Sequence, residues 1–207
     1  MTFPQILRSR LLAYGLVGVV LILAVAALAW SLVPVGRMAE GSGKALIGGP
    51  FTLTDQHGQD VTEQDFAGRY MLIYFGYTFC PDFCPLSLST MTRALELVPG
   101  EVAEQVVPMF ISVDPKRDTV EHLAEYAPLF HPRLVALTGT EQQVEAATSA
   151  YRVYFKPVES ENATDYLVDH STFIYLMGPD GEYVTHFGHD VPAEEMAERL
   201  EAEVAGS

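Results

Sequence analysis

Two cysteines lie close together in the segment GYTFCPDFCP, residues 76–85. Cys80 and Cys84 are the only cysteines among the 207 residues, and three residues separate them. The familiar motif for disulfide exchange separates its cysteines by two residues. Thiolates bind soft cations such as Cu(I), and neighbouring thiols can also form a disulfide. The pair therefore predicts either a metal site or a redox site.

The residues beside the cysteines predict how the two thiols are placed. They follow a continuous apolar run, RYMLIYFGYT at 69–78, which is typical of a strand buried on both faces. Pro81 suits the first turn of a helix. If a helix begins at Cys80 or Pro81, Cys84 follows about one turn later and both thiols share one face. The helix N-terminus would lower the pKa of both thiols, so that both could be thiolates near neutral pH.

A soft metal held by two thiolates needs a further ligand, and the chain has six histidines. His170, in the segment YLVDHS, comes just before a predicted buried strand, at a loop end of the sheet where sites tend to form. Its spacing alone leaves open that it is a structural loop histidine. The other histidines have simpler predicted places: His57 in a hairpin tip, His122 on the solvated face of a helix, His131 at a helix end, and His186 with His189 as a surface pair.

An acidic segment, DPKRD at residues 114–118, follows another predicted buried strand. Asp114 therefore lies on the same carboxyl edge of the sheet as Cys80. The simplest role for Asp118 is to cap the next helix, and that for Asp114 is to open the turn before Pro115. A carboxylate near the thiols could also act in metal transfer or in docking a partner.

Strands and helices alternate through the rest of the chain. Strands are predicted at 106–114, 133–139, 172–178 and 182–188, helices at 85–98, 119–130, 141–151 and from Pro192, and a hairpin at 51–61. This order predicts an α/β domain with a thioredoxin-like mixed sheet flanked by helices, over residues 50–207.

The first part of the chain predicts a single N-terminal transmembrane helix. Residues 11–33 contain no charge and no proline, and a helix of that length spans about 34 Å, enough to cross a bilayer core of roughly 30 Å. Residues 1–10 would be a cytoplasmic N-terminus and residues 34–49, rich in Gly and small residues, a flexible linker. A cleaved signal peptide is the alternative, because residues 27–29 have the small-x-small form of a cleavage site; the length of the apolar run favours an uncleaved anchor.

Charge indicates the side of the membrane on which the domain lies. Arg8 and Arg10 precede the apolar run and hold the N-terminus in the cytoplasm. We therefore expect a single-pass protein of a bacterial inner membrane with its C-terminal domain in the periplasm. The formal net charge of −15 argues against binding nucleic acid.

Together these residues resemble the SCO/SenC family of membrane-anchored copper proteins needed for cytochrome c oxidase assembly. The resemblance rests on GYTFCPDFCP, SVDPKRD, LTGT, AYRVYFKPV and YLVDHSTFIYLMGPDG, which occur in the family's order from about Ile47 to the end. One variation is Phe79, just before Cys80, where many relatives carry a histidine.

The resemblance implies a copper site made of Cys80, Cys84 and His170, with Cu(I) and also Cu(II) as the bound ion. It further implies that Asp82, together with Asp114 and Asp118, lies around the metal or takes part in docking a partner. The implied function is a metallochaperone that receives copper from a periplasmic donor and delivers it to cytochrome c oxidase subunit II.

Two other functions use the same residues. Cys80 and Cys84 could act as a thiol-disulfide reductase that keeps the oxidase copper-site cysteines reduced. A peroxidase is a third hypothesis, because Thr78 lies near Cys80. His170 separates these hypotheses: a copper carrier needs it as a ligand, whereas a dithiol reductase should work without it.

Overall fold

Nine strands and five α-helices alternate along the part of the chain that the structure, a computed structural model, describes: residues 47–158 and 166–206. The strands are β1 (Thr52–Asp55), β2 (Asp60–Thr62), β3 (Tyr70–Gly76), β4 (Val106–Ser112), β5 (Val135–Thr138), β6 (Phe155–Val158), β7 (Leu167–His170), β8 (Ile174–Met177) and β9 (Tyr183–Phe187). The helices are α1 (Phe83–Leu97), α2 (Gly100–Gln105), α3 (Val120–Tyr126), α4 (Glu141–Ala150) and α5 (Ala193–Ala205).

The predicted anchor at 11–33 and the N-terminus at 1–10 lie outside the described residues, as does most of the predicted linker. Among the residues that are described, none of the helices combines the length and the apolar character that crossing a bilayer requires. All the described residues belong to one compact unit, Ala45–Ser207.

Seven strands form one mixed sheet in the order β2-β1-β5-β4-β3-β8-β9. The central strands β3, β4 and β5 are parallel to one another, and every other neighbouring pair in this sheet is antiparallel. All residues of β3 and β4 are buried, which accounts for their uninterrupted apolar sequences. The predicted α/β class with a mixed sheet is confirmed.

The helices flank this sheet. Helix α5 packs against α1 and α2, and the hydroxyl of Tyr70 donates a hydrogen bond of 3.0 Å to the carbonyl of Glu203, which attaches α5 to the start of β3. Helix α3 packs against β5, and α4 packs against β1. The apolar sides of these helices complete the core around the central strands.

A second sheet of two strands was not predicted from the sequence. In it β6 and β7 pair antiparallel, with Phe155 opposite His170. Its strands have mostly exposed residues, and Pro157 in β6 cannot donate a ladder hydrogen bond. Neither strand therefore shows the apolar run or the clear alternation by which strands are recognised. This hairpin carries His170 at its end.

Helix α1 approaches strand β3 closely at Gly76, where the strand ends. A Cβ added to Gly76 would lie 2.8 Å from the Sγ of Cys84, 2.9 Å from the Cε1 of Tyr74 and 3.1 Å from the Cε2 of Phe110. Real Cβ atoms essentially never come within 3.0 Å of another heavy atom, and two of these distances are shorter than that, so this position requires glycine. The missing side chain lets α1 bring Cys84 directly against the strand.

We expect Gly76→Ala to lower the free energy of unfolding by about 1–3 kcal/mol, because the methyl group would overpack a site closed on three sides. Urea denaturation monitored by circular dichroism measures this change. Gly100→Ala is the matched control, since a Cβ at Gly100 meets nothing within 4 Å. Equal stability of Gly76→Ala and the wild type would contradict the close approach at this strand end.

Candidate metal centre

The structure brings together the three predicted ligands. The Sγ atoms of Cys80 and Cys84 and a ring nitrogen of His170 all lie within 4.8 Å of one another. The Sγ of Cys84 is 3.5 Å from the Nε2 of His170. Over the described ranges this is the one cluster of three or more His, Cys, Asp or Glu side chains with such spacing. These three side chains are therefore the candidates for holding a metal.

The prediction that the helix begins at Cys80 or Pro81 is wrong, because α1 begins at Phe83. Cys80 precedes the helix, in a turn where its backbone N–H donates to the carbonyl of Tyr77 at 3.2 Å. Pro85 explains the later start. An α-helix leaves its first four N–H groups without a partner, so a proline fits the third position of a helix from Phe83. In a helix from Pro81 it would remove an internal hydrogen bond.

The two thiols lie in different environments. Cys84 is fully buried in the first turn of α1, where the Tyr74 hydroxyl lies 3.8 Å from its Sγ and donates to it. Cys80, in the turn before the helix, is half-buried. The arrangement gives one thiol with access to solvent and one enclosed by protein.

This difference separates the acidities of the two thiols. Interaction with the Cys84 thiol, together with His170 and the backbone N–H groups at the start of α1, lowers the pKa of Cys80 to about 3. The Cys80 thiolate and then burial raise the pKa of Cys84. The prediction that both thiols are thiolates near neutral pH is therefore wrong for Cys84, because two adjacent negative charges in a buried place repel each other.

His170 is oriented by its own backbone neighbour. Its Nδ1 lies 2.9 Å from the carbonyl oxygen of Ser171. Since a carbonyl only accepts, Nδ1 carries a proton, and Nε2 is the ring nitrogen that faces the thiols. The rings of Tyr74 and Tyr77 meet the imidazole edge-on, with centroids 6.0 and 5.8 Å away. These contacts orient the imidazole so that Nε2 is the atom that can bind a metal.

Asp118 lies behind the thiol loop, fully buried. It accepts hydrogen bonds from the backbone N–H of Thr78 at 3.1 Å, from the Thr78 hydroxyl at 2.6 Å and from the Ser112 hydroxyl at 2.5 Å. Burial raises the pKa of Asp118. The simpler prediction, that Asp118 caps the next helix, is wrong: Thr119 is the N-cap of α3, and its hydroxyl accepts from the N–H of His122. Asp118 instead ties the loop before Cys80 to the end of β4.

Asp114, also buried, turns toward the β6–β7 hairpin. It forms an ion pair with Arg117 and accepts a hydrogen bond of 2.6 Å from the hydroxyl of Tyr166. Asp82, in contrast, is exposed, and at the N-cap position of α1 its side chain makes no capping hydrogen bond. A role for any of these aspartates in docking a partner stays a prediction.

His122 is not on the solvated face of α3, where the sequence placed it. Its Nε2 lies 2.8 Å from the Thr78 hydroxyl, and its ring stacks on that of Phe79 with centroids 5.3 Å apart. The Thr78 hydroxyl donates its one hydrogen bond to Asp118. Toward His122 it can therefore only accept, so Nε2 of His122 is the donor. This use of the hydroxyl leaves little support for Thr78 as a peroxidase residue.

Three further residues at the site were not predicted from the sequence: Tyr77, Arg117 and Tyr166. Tyr77 contacts the His170 ring, and Arg117 lies between the rings of Phe79 and Tyr166. The signal for Arg117 was present, since it lies within the DPKRD segment. For Tyr166, directly before β7, the signal is the two-residue period that puts it on the same face as His170.

The chain is similar to known proteins over this whole domain. The family model described as SCO1/SenC matches residues 39–205. Curated relatives include the human Protein SCO1 homolog, mitochondrial, 44% identical over 156 residues, and the SCO2-like protein of Rickettsia prowazekii, 43% identical over 161 residues. These matches cover 75% and 77% of this chain, 52% of the human protein and 78% of the Rickettsia protein. The chain thus spans about half the length of its human relative.

Solved structures share the fold. Copper-bound ScoI of Arabidopsis thaliana has a TM-score of 0.72 at 39% identity, covering 78% of this chain and 99% of that one. Copper-bound ScoI of Bradyrhizobium japonicum has a TM-score of 0.69 at 43% identity, covering 75% and 98%. The predicted thioredoxin-like fold is therefore confirmed in the form that Sco proteins adopt.

The difference between the thiols predicts a selective reaction. We expect iodoacetamide to alkylate Cys80 at a nearly constant rate from pH 5 to pH 8, because its pKa of about 3 keeps it a thiolate throughout. An ordinary cysteine with a pKa near 8.5 would slow roughly a thousandfold over that interval. Mass spectrometry of the alkylated peptides measures both rates, and buried Cys84 is expected to react far more slowly.

The variant Cys80→Ser provides the control, since its remaining thiol should resist the reagent until the protein unfolds. A rate at Cys80 that falls about tenfold for each pH unit below 8 would show an ordinary thiol and contradict the lowered pKa.

Proposed function

The chain belongs to the SCO1/SenC family, and on that basis we propose that it is a copper metallochaperone. Copper binds through Cys80, Cys84 and His170 and is delivered to the copper site of cytochrome c oxidase subunit II during assembly. The observation that carries this proposal is the cluster of two sulfurs and one imidazole nitrogen within 4.8 Å, in a chain similar to Sco structures with copper bound.

The spacing of the donors suits one metal ion. Metal–sulfur and metal–nitrogen bonds are about 2.3 and 2.0 Å long, as known for zinc. In a trigonal arrangement such bonds would separate a sulfur from a nitrogen by about 3.7 Å, and Cys84 Sγ lies 3.5 Å from His170 Nε2. Thiolates favour Cu(I), and a structural zinc site would call for a fourth protein ligand. The same set can also hold Cu(II) when the imidazole contributes.

Each ligand has a distinct part in holding and releasing the ion. Cys84 is enclosed by protein and anchors the ion from the first turn of α1. Half-buried Cys80 faces outward, so it is the ligand that an incoming thiolate of an acceptor can replace first. His170 closes the site from the hairpin. Transfer is then an exchange of ligands and requires no covalent chemistry on the acceptor.

The proposed location follows from the sequence. Residues 11–33 anchor the protein in a bacterial inner membrane as a single span, with the domain in the periplasm. There it receives copper from a periplasmic donor. Relatives from Rickettsia prowazekii and Bradyrhizobium japonicum are consistent with a bacterial setting.

A second function is favoured by the difference between the thiols. A low pKa at an accessible Cys80, beside a protonated and buried Cys84, is the arrangement of an attacking and a resolving thiol. The domain would then act as a thiol-disulfide reductase that keeps the oxidase copper-site cysteines reduced. One protein can carry out both reactions, because the copper-free pair is available for exchange.

Copper loading tests the first function. We expect the reduced protein to bind one Cu(I) per chain anaerobically, and His170→Ala to weaken binding at least about a hundredfold, since even the groups behind a ligand contribute about 10–100-fold. Affinity is measured by competition with a chromophoric Cu(I) chelator. Reduction of an insulin disulfide is followed in the same preparations.

The matched control is His57→Ala, because His57 lies exposed in the turn between β1 and β2. It should bind copper like the wild type. Loss of copper affinity in His170→Ala with disulfide reduction retained supports the chaperone. Unchanged affinity in His170→Ala, or no copper bound by the wild type, would exclude it and leave the reductase.

A further inference from the structure

The hairpin that supplies His170 is separate from the main sheet. Among the described residues, β6 and β7 pair only with each other. A cleft of about 280 Å³ lies beside the hairpin, lined by Phe155 and Tyr166 on one side and by Val113 and Val144 on the other. No ladder between the hairpin and the main sheet of the described residues sets the angle of the hairpin. Side-chain contacts therefore help to fix the distance between His170 and the thiols.

One face of β7 provides such contacts. Tyr166, directly before β7, and Val168 and His170 within it alternate with exposed Leu167 and Asp169, so these three point toward the body of the domain. Val168 is buried, and Tyr166 is half-buried. Tyr166 and His170 are four residues apart, about 13 Å along a strand. A contact that holds Tyr166 therefore also sets the direction in which His170 is presented.

Arg117 holds Tyr166 in three ways. Its guanidinium carbon lies 3.8 Å from the centre of the Tyr166 ring, and its Nη1 donates a hydrogen bond of 2.9 Å to the Tyr166 carbonyl. Its Nε pairs with Asp114, which itself accepts from the Tyr166 hydroxyl at 2.6 Å. The side chains of Arg117 and Asp114 are only 12% and 4% exposed, so this ion pair is shielded from solvent.

The same guanidinium contacts the loop that carries the first thiol. It lies 4.8 Å from the ring centre of Phe79, the residue before Cys80, and 5.6 Å from that of Tyr77. The Tyr77 ring in turn meets the His170 ring edge-on at 5.8 Å. Arg117 is thus in contact with both arms of the site, the thiol loop and the His170 hairpin.

We propose that Arg117 is the positioning residue of this site: held by Asp114, it sets the His170 hairpin against the thiol loop and so aligns Nε2 with the two sulfurs. The proposal rests on the proposed function in that copper is the ion whose binding depends on this alignment. Arginine is required, because its planar group stacks on rings while its N–H groups bind a carboxylate and a carbonyl. A lysine ammonium lacks the planar group whose face stacks on a ring while its edge donates several hydrogen bonds.

A double-mutant cycle tests the proposal. We expect Arg117→Met to weaken Cu(I) binding about 10–100-fold, as for other groups that orient a metal ligand. In the background of His170→Ala, the same substitution should have no further effect, since the residue acts through His170. An equal loss of affinity in both backgrounds would show a general structural effect and overturn the proposal, as would wild-type affinity in Arg117→Met.

Arg133→Met is the matched control for the loss of an arginine. Arg133 donates to the carbonyls of Ala103 and Val106, at the end of β4 remote from the thiols. Arg133→Met should lower the stability of the fold, but the folded variant should bind copper with the affinity of the wild type. If Arg117→Met does not fold, Tyr166→Phe and Arg117→Lys replace it. Each removes part of the same contacts and should weaken binding in the same direction, and unchanged affinity in both would overturn the proposal.

A copper-free measurement separates this proposal from the proposed function. Hydrogen–deuterium exchange of the reduced protein without metal should be faster in Arg117→Met than in the wild type over residues 166–170. It should be unchanged over β3, and Arg133→Met should not show the effect. If the wild type bound no copper, the metallochaperone would be excluded while this result would still establish the positioning role. Unchanged exchange at 166–170 would overturn it.

Discussion

The buried carboxylate of Asp118 is the constraint on which the thiol end of the sheet depends. A carboxyl group taken out of water costs free energy unless hydrogen bonds replace its hydration. Thr78, in the loop before Cys80, donates two such hydrogen bonds, and Ser112, at the end of β4, donates one. Because the carboxyl group is satisfied only while these groups surround it, the loop and the strand end are held at one separation.

The difference in burial between the two thiols arises at the same end of the sheet. Gly76 lets α1 approach the end of β3, and the approach encloses Cys84 against the strand. Cys80 is left in the turn outside the helix, half-exposed and close to backbone N–H groups. One sulfur thus lies inside the protein and the other is partly open to solvent. Such a pair can hold an ion from the buried side and offer it from the other.

Much of this could be predicted from the sequence. The long apolar runs specified β3 and β4, because only buried parallel strands tolerate such composition, and the alternation with helices specified the class of sheet. Cys80 and Cys84 were evident as the only cysteines. His170 was a candidate among six histidines by its place before β8, and its assignment rested on resemblance. The start of α1 was also accessible, because Pro85 excludes an earlier helix, although the sequence analysis missed this signal.

The sequence by itself determined the strands of the main sheet, the longer helices and the residue types of the site, since these follow from local spacing and from the period of apolar residues. Only the tertiary structure decided the roles of Asp118, His122 and Arg117. Each of them contacts residues about 40 positions away or more, and no local pattern distinguishes a capping carboxylate from one buried behind a distant loop. The tertiary structure also decided the difference in pKa between the two thiols. That difference depends on which sulfur the fold encloses and on the repulsion between two charges that the chain brings together.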